Sequence, residues 1–146
     1  MAAKRLDPTS YSPDVKPTPR FKKVLLIDDS EVDLFINRTI LRDISFAKEI
    51  HEEMNPERAM EFLQNIERLS QVPDIIFLDL NMPIMSGFEF LDEFSKLSEF
   101  VRNKCKIIVV TSSPSAMDKH RALMFKSVIR YFTKPIDKYI MSSTLF

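Results

Sequence analysis

Five polar side chains stand at the far ends of short apolar runs, and their types describe a possible chemistry. "KVLLIDD" ends on Asp28 and Asp29, "DIIFLD" on Asp79, "KIIVVT" on Thr111, and "YFTKP" carries Lys134. Two carboxylates about 5 Å apart repel by roughly 3 kcal/mol at an effective dielectric of 20. Three of them would raise one another's pKa or draw in a cation. An all-oxygen site with room for water suits Mg²⁺ better than zinc or calcium. Lys134 would add a second positive charge and Thr111 a hydroxyl donor. Such a site can stabilise a transferring phosphoryl group, whose transition state spreads negative charge over equatorial oxygens. Asp79 would then be the nucleophile, giving an aspartyl phosphate.

Taken singly, each residue has a plainer reading. Asp28, Asp29 and Ser30 could cap a helix, Asp79 could form a turn, Thr111 could simply favour a strand, and Lys134 could be a solvated charge. The phosphoryl reading needs all the placements together, so their joint occurrence favours it.

That convergence depends on the elements behind the residues. From Phe21 onward, apolar runs alternate with helical patterns. "KVLLID" reads as a first buried strand. Val32, Phe35, Ile36, Thr39 and Ile40 follow the spacing of an amphipathic helix. "AKEIHEEM" reads as a weaker strand at a sheet edge. Asn55-Pro56 is a cap followed by a first-turn proline, and Ala59, Phe62, Leu63 and Ile66 give the second helix its buried stripe. "DIIFLD" is the third strand, and Phe90, Leu91, Phe94 and Leu97 mark a third helix after Gly87. "KIIVVT" is the fourth strand, "SPSAMDKHRALMFKS" a fourth helix with an indistinct apolar face, and "VIRYFTK" the fifth strand. "IDKYIMSSTLF" closes the chain as a short helix using Ile136, Tyr139 and Ile140. Five βα units with continuous apolar strands predict an α/β fold, a doubly wound five-stranded parallel sheet with right-handed crossovers. All C-terminal strand ends then share one rim, where open α/β sheets bind ligands.

The 146 residues suffice for one domain. At this length about 68–70% of the unfolded surface can be buried, so no disulfide or structural metal is needed. Lysine plus arginine equals aspartate plus glutamate, at 21 each. No global field therefore pulls the chain toward nucleic acid or an anionic membrane. The single Cys105 fits a reducing compartment, and no run approaches a membrane span, so a cytoplasmic location is expected. Residues 1–20 hold four of the nine prolines and few apolar residues, which predicts a disordered tail before a domain over 21–146. His51 and His120 lack a partner at motif spacing and read as surface or structural residues, as Cys105 reads as packing.

Taken together, these residues resemble the receiver domain of two-component response regulators. "LLIDDS" is similar to the family's acidic pair, "FLDLNMPIMSG" to its phosphoacceptor segment, "VVTS" to its switch hydroxyl and "YFTKP" to its lysine-proline motif. The resemblance covers Lys22 to the C-terminus and implies the flavodoxin-like strand order 2-1-3-4-5. It implies that Asp29 and Asp79 ligate Mg²⁺ with the backbone carbonyl of Asn81, and that Asp28 acts mainly through a metal-bound water. It also implies that Lys134 pairs with Asp79 across a cis Lys134–Pro135 bond, that Thr111 swings toward the phosphoryl group, and that Tyr131 turns inward behind it. Pro83 and Gly87 would shape the loop after the phosphoacceptor. Asn81 and Ser113 stand where the family tunes the lifetime of the phosphoryl group. The chain departs from the family pattern at Ser127 and Val128, where a glycine commonly follows the fourth helix.

The implied function is that of a stand-alone receiver, not an enzyme beyond its own phosphorylation and dephosphorylation. The donor would be a histidine kinase or phosphotransfer protein meeting the first helix. The output would be a protein contact through the fourth helix, fifth strand and fifth helix. A metal-dependent haloacid dehalogenase-type phosphatase is the alternative, but it needs a second aspartate where Asn81 stands. A flavin carrier would need phosphate-binding donors where "DDSEVD" stands. A binding-only receiver would lack pocket residues that are present here.

Overall fold

The computed structural model describes residues 17–144 and residue 146. The expected tail therefore lies mostly outside the described residues. Its last member, Arg20, is docked: it donates to the Met141 and Thr144 carbonyls at 3.2 and 2.6 Å.

Five strands, β1 (Phe21–Ile27), β2 (Ala47–Glu53), β3 (Ile75–Leu78), β4 (Lys106–Thr111) and β5 (Val128–Thr133), alternate with helices. The helices are α1 (Glu31–Asp43), α2 (Pro56–Gln64), α3 (Gly87–Phe94), α4 (Glu99–Lys104), α5 (Ala116–Leu123) and α6 (Lys138–Ser143). All strand pairs are parallel, in the order β2-β1-β3-β4-β5. This is the doubly wound, flavodoxin-like order.

Strand composition follows from burial on both faces. Leu25, Ile27, Ile76, Leu78, Ile107 and Val109 pack with α2, α3 and α5 through Leu63, Phe90, Leu91, Phe94 and Ala122. Val24, Leu26, Ile75, Phe77, Ile108 and Val110 pack on the other face with Leu34 and Leu41 of α1 and Met141 of α6. Each such side chain contributes about 1.5–3 kcal/mol relative to exposure. Only β2 lacks a buried residue, and it lies at the sheet edge.

Several expectations about helix faces are corrected. Most of the stripe read on α1 faces outward: Val32 is 67% and Phe35 59% exposed, while Leu34, Asn37 and Leu41 face the sheet and Ile40 alone of the stripe packs half-buried beside them. The helix carries apolar residues on two flanks, and periodicity cannot tell a core flank from a solvent flank. Phe62 of α2 is likewise exposed, with Met60 buried beside Ala59, Leu63 and Ile66. In α6 the buried residue is Met141, not Tyr139 or Ile140; Ile136 is buried just before the helix. An additional short helix, α4, follows α3, so the helices expected as fourth and fifth are α5 and α6. The Ser127-Val128 junction needs no left-handed residue. Among the described residues the only positive φ is Ser45, at 51°.

Candidate functional site

The strand ends converge as the sheet requires. Ile27 and Leu78 are register partners at the ends of β1 and β3, so the residues that follow them, Asp28 and Asp79, emerge side by side. Asp79 is tied to β1 by its N–H, which donates to the Ile27 carbonyl at 3.1 Å. Asp28, Asp29 and Asp79 each offer an oxygen within 4.8 Å of the others. At that separation each pair of charges repels by about 3 kcal/mol at an effective dielectric of 20. A set of hard oxygen donors this close fits a divalent cation. Asp28 and Asp79 are buried and Asp29 is exposed, so the cluster opens to solvent on one side.

Lys134 enters from the end of β5, held by its N–H to the Thr111 carbonyl at 2.8 Å, and the following peptide bond to Pro135 is cis. Its ammonium meets Asp28 at 2.8 Å, Asp33 at 2.7 Å and Asp79 at 3.4 Å. Burial alone would depress the Lys134 pKa. Its hydrogen bonds to Asp28 and Asp33 and the Asp79 charge outweigh burial and hold it above the ordinary lysine value. Burial pushes the Asp28 carboxyl up, against the opposing bonds from Lys134 and the Ser30 N–H. Asp79 is therefore only the most distant of three carboxylates around the amine.

On the β4 side, Thr111 is fully buried. Its hydroxyl oxygen accepts from Asn81 Nδ2 and from the Ser113 N–H, both at 3.3 Å. The Asn81 N–H donates to Asp79 Oδ1 at 3.3 Å, so Asn81 spans the acid and the hydroxyl. Tyr131 is half-buried and donates to the Ser113 carbonyl at 3.2 Å. Ser113 in turn donates to Asp118 at 2.7 Å.

Gly87 sits at the first position of α3 because nothing larger fits. A Cβ there would stand 2.5 Å from Leu80 Cα and 2.6 Å from the Asp79 carbonyl oxygen. The Gly87 N–H donates to the Leu80 carbonyl at 2.9 Å, closing the loop that carries Asp79. The glycine serves close approach rather than an unusual φ.

Sequence reading placed Asp28, Asp29, Asp79, Asn81, Thr111 and Lys134 at one rim, and the structure brings them together. It missed Asp33, the Asn81 side-chain bridge and the Ser113–Asp118 pair. Ser30-x-x-Asp33 and Ser115-x-x-Asp118 are spaced as helix caps, which concealed any second use. His51 pairs at 3.0 Å with Glu49 on exposed β2, and Cys105 is a buried thiol that burial pushes up in pKa. Neither is near the rim. No helix among the described residues is long and apolar enough to cross a membrane.

Residues 24–145 match the family model of the response regulator receiver domain. The sensor histidine kinase CheAY of Helicobacter pylori is 33% identical over 112 residues, which are 77% of this chain and 13% of that protein. A two-component response regulator from Cytophaga hutchinsonii superposes with a TM-score of 0.76 at 30% identity, covering 82% of this chain and 90% of the other. The Mn²⁺-bound form of the response regulator Rcp1 gives 0.67 at 27% identity, covering 83% and 89%. These matches leave the phosphatase alternative without support. The strand order, the acidic rim and the family match agree: the chain belongs to the response regulator receiver domain family of two-component signalling.

Proposed function

We propose that Asp79 accepts a phosphoryl group from a phosphohistidine on a histidine kinase or phosphotransfer protein, and that the resulting aspartyl phosphate switches partner binding. One observation carries this reading: three carboxylates within 4.8 Å of one another share a rim with a lysine ammonium that contacts two of them. Asp28, Asp29 and Asp79, with the backbone carbonyl of Asn81, would hold Mg²⁺, which would supply positive charge for phosphoryl oxygens and relieve carboxylate repulsion. The Rcp1 relative is a Mn²⁺-bound form, in keeping with a divalent site.

In the step itself an Asp79 oxygen attacks phosphorus in line as the P–N bond to the donor imidazole breaks. The electron pair of that bond stays with the imidazole nitrogen. Lys134 stabilises the charge gathering on the equatorial oxygens. The new dianionic group then offers the Thr111 hydroxyl an acceptor for its proton, whereas Asn81 Nδ2 and the Ser113 N–H both donate to its oxygen at rest, and Tyr131 follows by leaving the Ser113 carbonyl and turning inward. The exposed Val32, Phe35 and Ile36 flank of α1, beside the acidic rim, suits the donor. The α5–β5–α6 face suits an output partner, with Met117, Met124 and Tyr139 exposed there. The location is proposed to be cytoplasmic, where kinase domains and phosphodonors occur.

The test is mass spectrometry after treatment with acetyl phosphate and Mg²⁺. One added phosphoryl group is expected on Asp79, and none on the Asp79→Asn variant. Labelling that survives that substitution would overturn the assignment.

A further inference from the structure

We infer that Asp33 is a positioning residue that holds the Lys134 ammonium in its resting place and thereby opposes the phosphorylated state. The inference rests on the phosphoacceptor reading of Asp79 and adds to it a residue that sets the balance between the two states.

The argument begins with three helix starts of one spacing. Ser30, Ser86 and Ser115 each cap a helix by accepting from the N–H of the residue three positions on: Asp33, Glu89 and Asp118. In a reciprocal box, that acid returns to the N–H of the capping serine. Glu89 does so, accepting from the Ser86 N–H at 3.1 Å. Asp33 has no such partner to return to, because the Ser30 N–H already donates to Asp28 Oδ1 at 2.9 Å. Its carboxylate turns instead to Lys134 Nζ at 2.7 Å, the shortest of the three contacts that amine makes. The diversion is thus a consequence of the acidic pair: Asp28 occupies the amide that would otherwise retain Asp33.

An ammonium has three protons to donate. Among the described residues three carboxylates take them, one each, so none is spare, and Asp79 has the longest contact at 3.4 Å. A phosphoryl group on Asp79 would bring about −1.5 to −2 of charge and three acceptor oxygens to this position. Lys134 would then have to move toward it and weaken its bond to Asp33. The Asp33 contact is made in the resting state and not strengthened in the phosphorylated one, so it biases the equilibrium toward rest. Its place on the first turn of α1 also means that the loosened bond is felt at the helix proposed to meet the donor.

The test is a double-mutant cycle between Asp33 and Lys134, read by titration with beryllofluoride in saturating Mg²⁺ and followed by amide shifts around Tyr131. Asp33→Asn is expected to bind beryllofluoride about fivefold to tenfold more tightly than the parent, with Asp33→Glu restoring the parent affinity. In a Lys134→Ala background the same Asp33→Asn change is expected to have less than a twofold effect. Equal tightening in both backgrounds would mean that Asp33 acts only by its charge through space, and overturns the proposal; so does no tightening in either. A second cycle, on the melting temperature without any ligand, separates this inference from the function it builds on. Parent protein that binds no beryllofluoride would defeat the phosphoacceptor reading. Additive melting shifts would defeat the Asp33–Lys134 bond whatever the protein binds.

Discussion

Asp28 shows how an acidic rim is maintained against its own repulsion. Burial raises its pKa from 3.8, and the Asp79 charge adds to the rise, while bonds from Lys134 and Ser30 oppose it. A carboxyl with a folded pKa above its unfolded one contributes stability that is present below pH 3.8 and is lost as pH rises through the folded pKa. At neutral pH the charged Asp28 is therefore a cost to the fold. Asp28→Asn is expected to raise unfolding free energy by about 0.5–2 kcal/mol in urea denaturation, with weaker Mg²⁺ binding by calorimetry. A destabilised Asp28→Asn protein would show that the Lys134 bond outweighs burial. On the proposed Mg²⁺ site, acidification should weaken binding from a pH above 3.8, because protonating Asp28 would remove a negative charge from it.

At the scale of elements, the single glycine is used for contact, and the one positive φ among the described residues is borne by a serine. Replacing Gly87 with alanine forces a Cβ to within 2.6 Å of two backbone atoms of the Asp79–Leu80 segment. A loss of about 3 kcal/mol is expected in chemical denaturation, together with slower phosphodonor labelling as the Asp79 loop shifts. Ser45 follows α1 at φ 51°, and the Phe46 N–H closes the helix end on the Leu41 carbonyl at 2.9 Å. Glycine tolerates that conformation without the Cβ penalty, so Ser45→Gly should stabilise by about 1 kcal/mol, measured as an upward shift in melting temperature. The junction before β5 reaches its strand without such a residue: the Val128 N–H closes on the Phe125 carbonyl at 3.0 Å. That is why the departure at Ser127 leaves β5 and Lys134 in place.

Across the whole molecule, the two ends of the described chain are joined through Arg20 and Phe21. The Arg20 guanidinium lies 5.8 Å from the Phe46 ring centre and 5.0 Å from that of Phe146, while donating to carbonyls at the end of α6. Phe21, Phe46, Phe77 and Phe146 form a chain of ring contacts beneath it. Arg20→Ala should cost about 1–2 kcal/mol in denaturant and increase hydrogen exchange at the end of α6. Unchanged exchange there would show that α6 is held without Arg20, by contacts such as the buried Met141 and Ile136. Composition marked residues 1–20 as one polar, proline-rich segment, and the described structure shows that its last residue belongs to the packed domain.

What the sequence determined by itself is the set of strands, their parallel arrangement and the meeting of Asp28, Asp29, Asp79, Thr111 and Lys134 at one rim. These follow from two local facts: strands buried on both faces must be apolar throughout, and parallel strands end on the same side. The strand order was available only through the family resemblance. Tertiary structure alone decided which flank of α1 faces the sheet, which carboxylate Lys134 approaches most closely, and that Asp33 joins the site at all. Those outcomes depend on competition between groups distant in the chain for the same amide, amine or patch of sheet. Residue spacing along the chain carries no record of which competitor prevails.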